Sequence, residues 1–461
     1  MPHDIPAGHL VERILVPFAG EGSGVEELTW GQIGLWQSIE QSGLTKTVHY
    51  VLELAPGTTI DDVAGSLAFM VGRHQSLRTL LRLRDDAPPL QECVASGETP
   101  LEVVDAGPAD PAEVAEAISE RYQQQPYEFE TELPVRMAVV RRDGVLTHQV
   151  VAVLHTSIDA DGVLALGADL ATRHTGEVSE VTATQPLDQA RRQSSPAGQR
   201  QNENSLRYLE RVLRAVTPTR FGEPKYPGDR VIHQIRYLSP ATALALRAVA
   251  ARNGVNTSPV VLASFAVGLA RFTGVNPVLA MLLVNNRFRP GLAASVSALI
   301  QLTPYLIDVA DVTLDEAVER AAQSALHAYK NAYYNPYHQD EVIERVERER
   351  GEEIDLSCFY NDRRLQDRGS ATEPVSASEI RAALSRSTVS YDGEINPPRR
   401  KLYFNVDDPL GGIEFLVSVD SRYFSPHDLE TLVRGIEAVA VEVALDGSAP
   451  TGVGARDRVR V

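Results

Sequence analysis

Cysteine is almost missing from this chain: Cys93 and Cys358 are the only two in 461 residues. That argues against a disulfide framework and against a cysteine-rich zinc site. Long apolar runs are missing as well. No stretch of about 18 or more apolar residues occurs, so a transmembrane helix is not expected. The N-terminus, "MPHDIPAGHLVERILV", lacks the basic-then-apolar layout of a secretory signal, and the expected location is the cytoplasm. Basic charge is in deficit, with 44 Lys and Arg against 62 Asp and Glu and a net charge of −18. Such a balance opposes binding to nucleic acid and to an anionic membrane. The phosphate-binding patterns GxGxxG and GxxxxGK(S/T), the zinc motif HExxH and the nucleophile elbow GxSxG are all absent. "GEGSG" at 20–24 is glycine-rich but has no phosphate-binding lysine after it, and reads as a turn.

What is present is ample core material: 43 % of residues are apolar and 23 % charged. Length alone suggests two or three domain-sized units. "LVERILVPF" and "TKTVHYVLEL" alternate as strands do, and "TIDDVAGSLAFMVGRH" has helical spacing with acids in its first turn. "VRMAVVRRDGVLTHQVVAVLH" reads as a hairpin turning at Asp143-Gly144. Residues 175–205 are polar, with Pro186 and "SSP", and read as a crossing segment. Beyond it, Ser239 and Pro240 open one helix and Gly254 closes it; "VLAMLLVNN" reads as a buried strand; "KLYFNVDD" and "GIEFLVSVD" are strands joined through "PLGG"; and "SPHDLETLVRGIEAVAVEVALDG" closes the chain as a helix. Strands and helices are mixed in both parts, which predicts two lobes of related design.

One junction stands out. In "QVVAVLHTSIDADGVLAL" (149–166) an alternating strand stops at His155, passes Asp159 and Asp161, and enters an apolar helix. An imidazole at a strand end is commonly structural, yet its titration near neutral pH also suits proton transfer.

The spacing resembles the HHxxxDG motif of the nonribosomal-peptide condensation-domain family, carrier-dependent acyltransferases that carry it at such a junction. Without gaps, Leu154 stands for the first histidine, His155 for the second, Asp159 for the aspartate and Ala160 for the glycine. A rival register through Asp161-Gly162 would need a one-residue slip to keep His155. "TWGQIGLW" (29–36) resembles the family's S-x-A-Q-x-R-L-W through Thr29, Gln32, Leu35 and Trp36, with Gly34 in the arginine position. "RHQSLRTLL" (73–81) resembles R-H-x-x-L-R-T-x-F through Arg73, His74, Leu77, Arg78 and Thr79. "HQDEVIERV" (338–346) resembles a later H-Q-D-x-P-F-E segment, and "VSALIQLTP" (296–304) resembles I-G-x-F-V-N-T weakly.

The resemblance implies an α+β (α/β sandwich) fold: two chloramphenicol-acetyltransferase-like lobes in a V with a tunnel between them. The lobes are expected at 1–180, carrying the histidine motif, and at 181–461, including the crossing segment 181–205. The implied function is a free-standing condensation enzyme of natural-product biosynthesis. It would transfer an acyl group from the phosphopantetheine thioester of an acyl or peptidyl carrier protein to an amine or alcohol, with no cofactor or metal bound directly. His155 would be the catalytic base. Asp159 would be a strut paired with Arg287 of "VNNRFRP", with Arg289 in reserve. Thr156, Ala160, Gly162 and Asn361 would line the tunnel. A catalytically silent docking module that recruits carrier proteins or tailoring enzymes, and an epimerase-type relative, are the alternatives. Docking of an acidic carrier would call for local positive charge, for which Arg191, Arg192, Arg200, Arg399, Arg400 and Lys401 are candidates.

Overall fold

The computed structural model describes residues 8–85, 87–176, 180–226, 228–364, 375–395 and 400–454. Its contacts divide the chain into two compact units. One holds the chain up to 203 together with 285–301 and 335–337; the other holds the rest. This differs from a boundary at 180, because the crossing segment sides with the first unit.

The first unit is built on a five-stranded sheet. Its order is His9–Ala19, Ser96–Asp105, Val135–Arg142, Val145–Leu154, Thr47–Glu53. Ser96–Asp105 and Val135–Arg142 run parallel, and the helix Pro111–Gln124 makes the crossover between them. The expected hairpin forms between Val135–Arg142 and Val145–Leu154. Asp143 and Gly144 at its turn have φ of 50° and 78°, the left-handed pair that a two-residue type I′ turn requires. Alternation then splits the hairpin between two faces. Val135, Met137, Val139 and Val153 pack with Val63, Leu67 and Leu166 of the helices Ile60–Arg73 and Ala160–Thr175. Ala138, Val140, Val150 and Ala152 pack with Val114, Ala115 and Ile118 of Pro111–Gln124. The strand carrying His155 at its end is therefore buried on both faces, which makes it a rigid mount.

The segment read as a polar crossing is helical. It forms Pro186–Ser194 and most of the first turns of Pro196–Ala215, each opened by its proline. Gln189 and Gln193 are buried and Gln185 is half-buried: Gln193 Oε1 accepts from the Trp30 backbone, and Gln185 Oε1 from that of Gln75. Polar composition hid these helices because their inward side chains satisfy backbone groups instead of filling an apolar core.

The second unit is built on a seven-stranded sheet. Its order is Gln301–Ile307, Val278–Val284, Cys358–Asp362, Leu402–Asp407, Ile413–Asp420, Ile232–Ser239, Thr388–Ile395. The helices Pro240–Asn253, Thr257–Thr273, Leu314–Lys330 and Pro426–Leu445 supply apolar side chains to a large core against it, centred on Phe265, Tyr360, Phe404 and Phe415. Local signals set these helices. Ser239 caps the first through the Thr242 N–H, and Gly254 ends it at φ 66°. Among the described residues no single helix is long and apolar enough to cross a membrane.

Candidate active site

The strand Val145–Leu154 ends one residue before His155. The His155 N–H donates to the Lys46 carbonyl at 2.9 Å, and the Ser157 N–H closes a turn onto Leu154 at 2.9 Å. Leu154, Thr156, Ser157 and Ile158 are buried, whereas His155 is half-buried and Ala160 is exposed. The imidazole Nδ1 lies 2.8 Å from the Ile158 carbonyl oxygen. A carbonyl can only accept, so Nδ1 carries a proton, and in the neutral ring Nε2 then carries the lone pair. Nε2 has no hydrogen-bond partner among the described residues. Leu154 has no polar atom to orient the ring, and the backbone three residues on does so instead.

Asp159 is the N-cap of the helix Ala160–Thr175 and is 1 % exposed. Its Oδ1 accepts from the Gly162 N–H at 2.7 Å and from Arg287 Nη2 at 2.5 Å; its Oδ2 accepts from the Leu299 N–H at 2.8 Å. Arg287 in turn donates to the carbonyls of Ser295 at 2.6 Å and Ser297 at 3.2 Å. Asp161, in the first turn of the same helix, accepts from Asn285 Nδ2 at 2.9 Å. All of these residues belong to the first unit. With three donors on its two oxygens, Asp159 is engaged as a structural clamp between the start of the helix and segment 285–301. Arg289, the reserve, bonds Asn286 Oδ1 instead.

Gly162 is buried inside this clamp. A Cβ there would stand 2.8 Å from Ile158 Cγ1, 3.1 Å from the Ser297 carbonyl oxygen and 3.2 Å from Arg287 Nη2. Gly162→Ala is expected to lower stability by about 1–3 kcal/mol through overpacking. A thermal melt checks this, and an unchanged transition would contradict it.

Asn361 lies in the second unit, on Cys358–Asp362, with Nδ2 on Asn405 Oδ1 at 3.2 Å. It belongs to a different unit from His155.

The other resembling stretches have structural explanations. Thr29 and Gln32 form a capping box on the helix Trp30–Ser42. Trp36 packs edge-on against Phe129 and donates to Glu40 Oε1 at 2.7 Å. Arg78 is fully buried, and it donates to Glu21 O, to Gly22 O at 3.3 Å, to Val94 O at 2.5 Å and to Cys93 Sγ at 3.0 Å. The glycine-rich turn at 20–24 thus receives an arginine from within the chain. A Cβ on Gly20 would meet the Gly72 carbonyl oxygen at 1.9 Å, so glycine is needed for that close approach.

Arg73 Nε and His74 Nε2 both meet Asp169 Oδ2, at 2.6 and 2.9 Å, tying Ala160–Thr175 to the end of Ile60–Arg73. Burial outweighs the Asp169 carboxylate and lowers the His74 pKa to about 4. In the unfolded chain the same ring titrates near 6.5. Between these values the unfolded chain binds more protons, so stability falls as pH drops from about 6.5 toward about 4. The slope from this residue is at most about 1.4 kcal/mol per pH unit. Urea midpoints at pH 7 and pH 5 are expected to differ less in His74→Gln than in the parent; equal differences would remove His74 as the cause.

Of the expected basic positions, Arg191 and Lys401 are paired with carboxylates, Arg191 with Glu26 and Asp188 and Lys401 with Asp355, and Arg192 bonds Thr184. Arg200 is exposed, and Arg399 lies outside the described residues.

Sequence reasoning missed the Ile158 and Lys46 carbonyls, the Leu299 N–H and Asn285. The first three are backbone groups, which leave no trace in residue type. The weak resemblance at 296–304 was a usable signal, since that segment supplies the Leu299 donor and the Ser297 acceptor.

The fold places the chain in a known class. It superposes on the condensation domain from the monacolin K polyketide synthase MokA with a TM-score of 0.72 at 15 % identity, covering 94 % of this chain and 100 % of that one. The condensation domain in a structure on chain release from the enacyloxin polyketide synthase gives 0.71 at 19 % identity, covering 96 % and 86 %. The X-domain from teicoplanin biosynthesis gives 0.68 at 17 % identity, covering 95 % and 99 %. At these identities the likeness establishes the fold, two chloramphenicol-acetyltransferase-like lobes. No curated protein sequence matches the chain. A family model described as the condensation domain matches residues 25–405, and the chain belongs to that family.

Proposed function

We propose that this protein transfers an acyl group from the phosphopantetheine thioester of a carrier protein to an amine or alcohol, with His155 as the base. The observation that carries this reading is the bond from Nδ1 to the Ile158 carbonyl, which leaves the Nε2 lone pair available on a rigidly mounted ring. In the reaction the acceptor nitrogen or oxygen attacks the thioester carbonyl. Its proton passes to Nε2 and then to the departing thiolate, giving amide or ester and free thiol. Proton transfer of this kind contributes about 10²–10⁴-fold, and positioning supplies the remainder. Asp159 holds the loop and takes no proton.

A second reading has its own support. Leu154 and Ala160 replace two residues of the family motif. One structural relative, the X-domain from teicoplanin biosynthesis, has been solved in complex with OxyB. Under that reading this chain would be a silent docking module for carrier proteins or tailoring enzymes. The test is incubation with acyl-loaded carrier protein and a panel of amines and alcohols, followed by mass spectrometry. Product with the parent and none with His155→Ala supports acyl transfer by His155. Equal product in both removes His155 as the base, and carrier binding without product favours docking.

A further inference from the structure

We propose that Arg400 is the centre of an oxyanion-binding site in the second unit, which takes a carboxylate or a phosphate. Its guanidinium carbon lies 4.3 Å from the ring centroid of Phe359 and 4.6 Å from that of Tyr403, two rings set edge to face at 62°. Those ring faces stabilise the cation but accept none of its N–H bonds in the way an oxygen does. No acceptor meets Arg400 among the described residues. Among the other arginines that lie over aromatic rings, Arg73 pairs with Asp169, Arg121 with Glu102, Arg136 with Glu132, Arg422 with Asp420 and Arg434 with Glu430, Arg289 bonds Asn286 Oδ1, and Arg211 is exposed. Buried arginines that lack a carboxylate, such as Arg78 and Arg220, donate to backbone carbonyls instead, whereas half-buried Arg400 meets neither among the described residues.

The neighbours are donors too. Phe359 stands opposite Tyr403, and Asn361 opposite Asn405, on adjacent parallel strands. Alternation sends Cys358, Tyr360, Leu402 and Phe404 into the core and leaves this row on the other face. The Tyr403 hydroxyl accepts from Asn361 Nδ2 at 3.4 Å, and its own proton remains to be donated. Lys401, next in the chain, is already paired with Asp355 at 2.9 Å, so the free charge is that of Arg400. A planar fork of N–H groups beside a phenolic O–H matches a two-oxygen acceptor. This deepens the acyl-transfer reading by assigning a substrate class, one that bears an anionic group, and rests on that reading for its role in turnover.

The site itself is testable without turnover. Saturation-transfer NMR with the full chain compares 4′-phosphopantetheine with pantetheine, and benzoate with benzamide. One anionic probe is expected to bind about tenfold tighter than its neutral twin, as for a charge-assisted pair of hydrogen bonds. Arg400→Gln should bring that probe down to the neutral level. A preference for 4′-phosphopantetheine identifies the carrier arm's phosphate as the ligand; a preference for benzoate identifies a carboxylated acyl or acceptor group. If Arg400→Gln folds poorly, Arg400→Lys, which keeps the charge and loses the fork, should show a partial drop. No preference for either anion, or a preference that survives both substitutions, overturns the proposal. His155→Ala should bind the same anion as the parent, so loss of the acyl-transfer reading leaves this result distinct.

Discussion

Asp159→Ala is expected to lower stability by about 3–5 kcal/mol, the usual result of removing one member of a buried ion pair. The side chain is 1 % exposed and takes three donors: the Gly162 N–H, the Leu299 N–H and Arg287 Nη2. Truncation strands two backbone N–H groups and leaves a guanidinium that is 10 % exposed with only carbonyls for company. It also uncaps the helix Ala160–Thr175. Against a total stability of about 5–15 kcal/mol for a typical domain, the first sign should be lost soluble yield. Asp159→Asn keeps an acceptor oxygen and should fall between the two. Urea denaturation checks the series. An Asp159→Ala protein with the parent's midpoint and no turnover would move Asp159 from the clamp into the chemistry.

His155→Ala is expected to reduce the rate of acyl transfer by about 10²–10⁴-fold with little change in stability. The ring is half-buried, and its one side-chain bond is to the Ile158 carbonyl. Removing it unpairs one carbonyl, of the buried Ile158, but strands no buried charge, so the fold should persist. Leu154→His, which restores the family's first histidine, is not needed to set the tautomer, because the Ile158 carbonyl already does so. Single-turnover measurements with acyl-loaded carrier protein separate this loss of chemistry from a loss of binding. A His155→Ala protein that turns over at the parental rate would leave the silent docking role as the better reading.

The two predictions differ in how far their basis could be read in advance. The position of His155 at a strand end and of Asp159 before a helix was legible, because strand alternation and helix capping are written in neighbouring residues. So were the Asp143-Gly144 turn, the Thr29–Gln32 box and the Ser239 cap, each of which uses side chains within a few positions of one another. The choice of Arg287 as the partner of Asp159 came from family resemblance, since 128 residues separate them. Nothing in the residue types around Arg287 distinguishes it from Arg289, which meets Asn286 instead.

Sequence by itself determined the mixed strand-and-helix order, the buried strand "VLAMLLVNN" and the junction where an imidazole meets a helix cap. Tertiary structure alone decided what those groups do. It set the His155 tautomer through a backbone carbonyl, and it filled both Asp159 oxygens, one of them with a backbone N–H 140 residues away. It folded the polar segment after 185 into helices anchored through Gln185 and Gln193. It also stacked Arg400 on two rings from neighbouring strands. The physical reason is common to the first three. Backbone donors and acceptors are identical at nearly every position, so which of them a side chain meets depends on how distant segments pack, and not on local residue type.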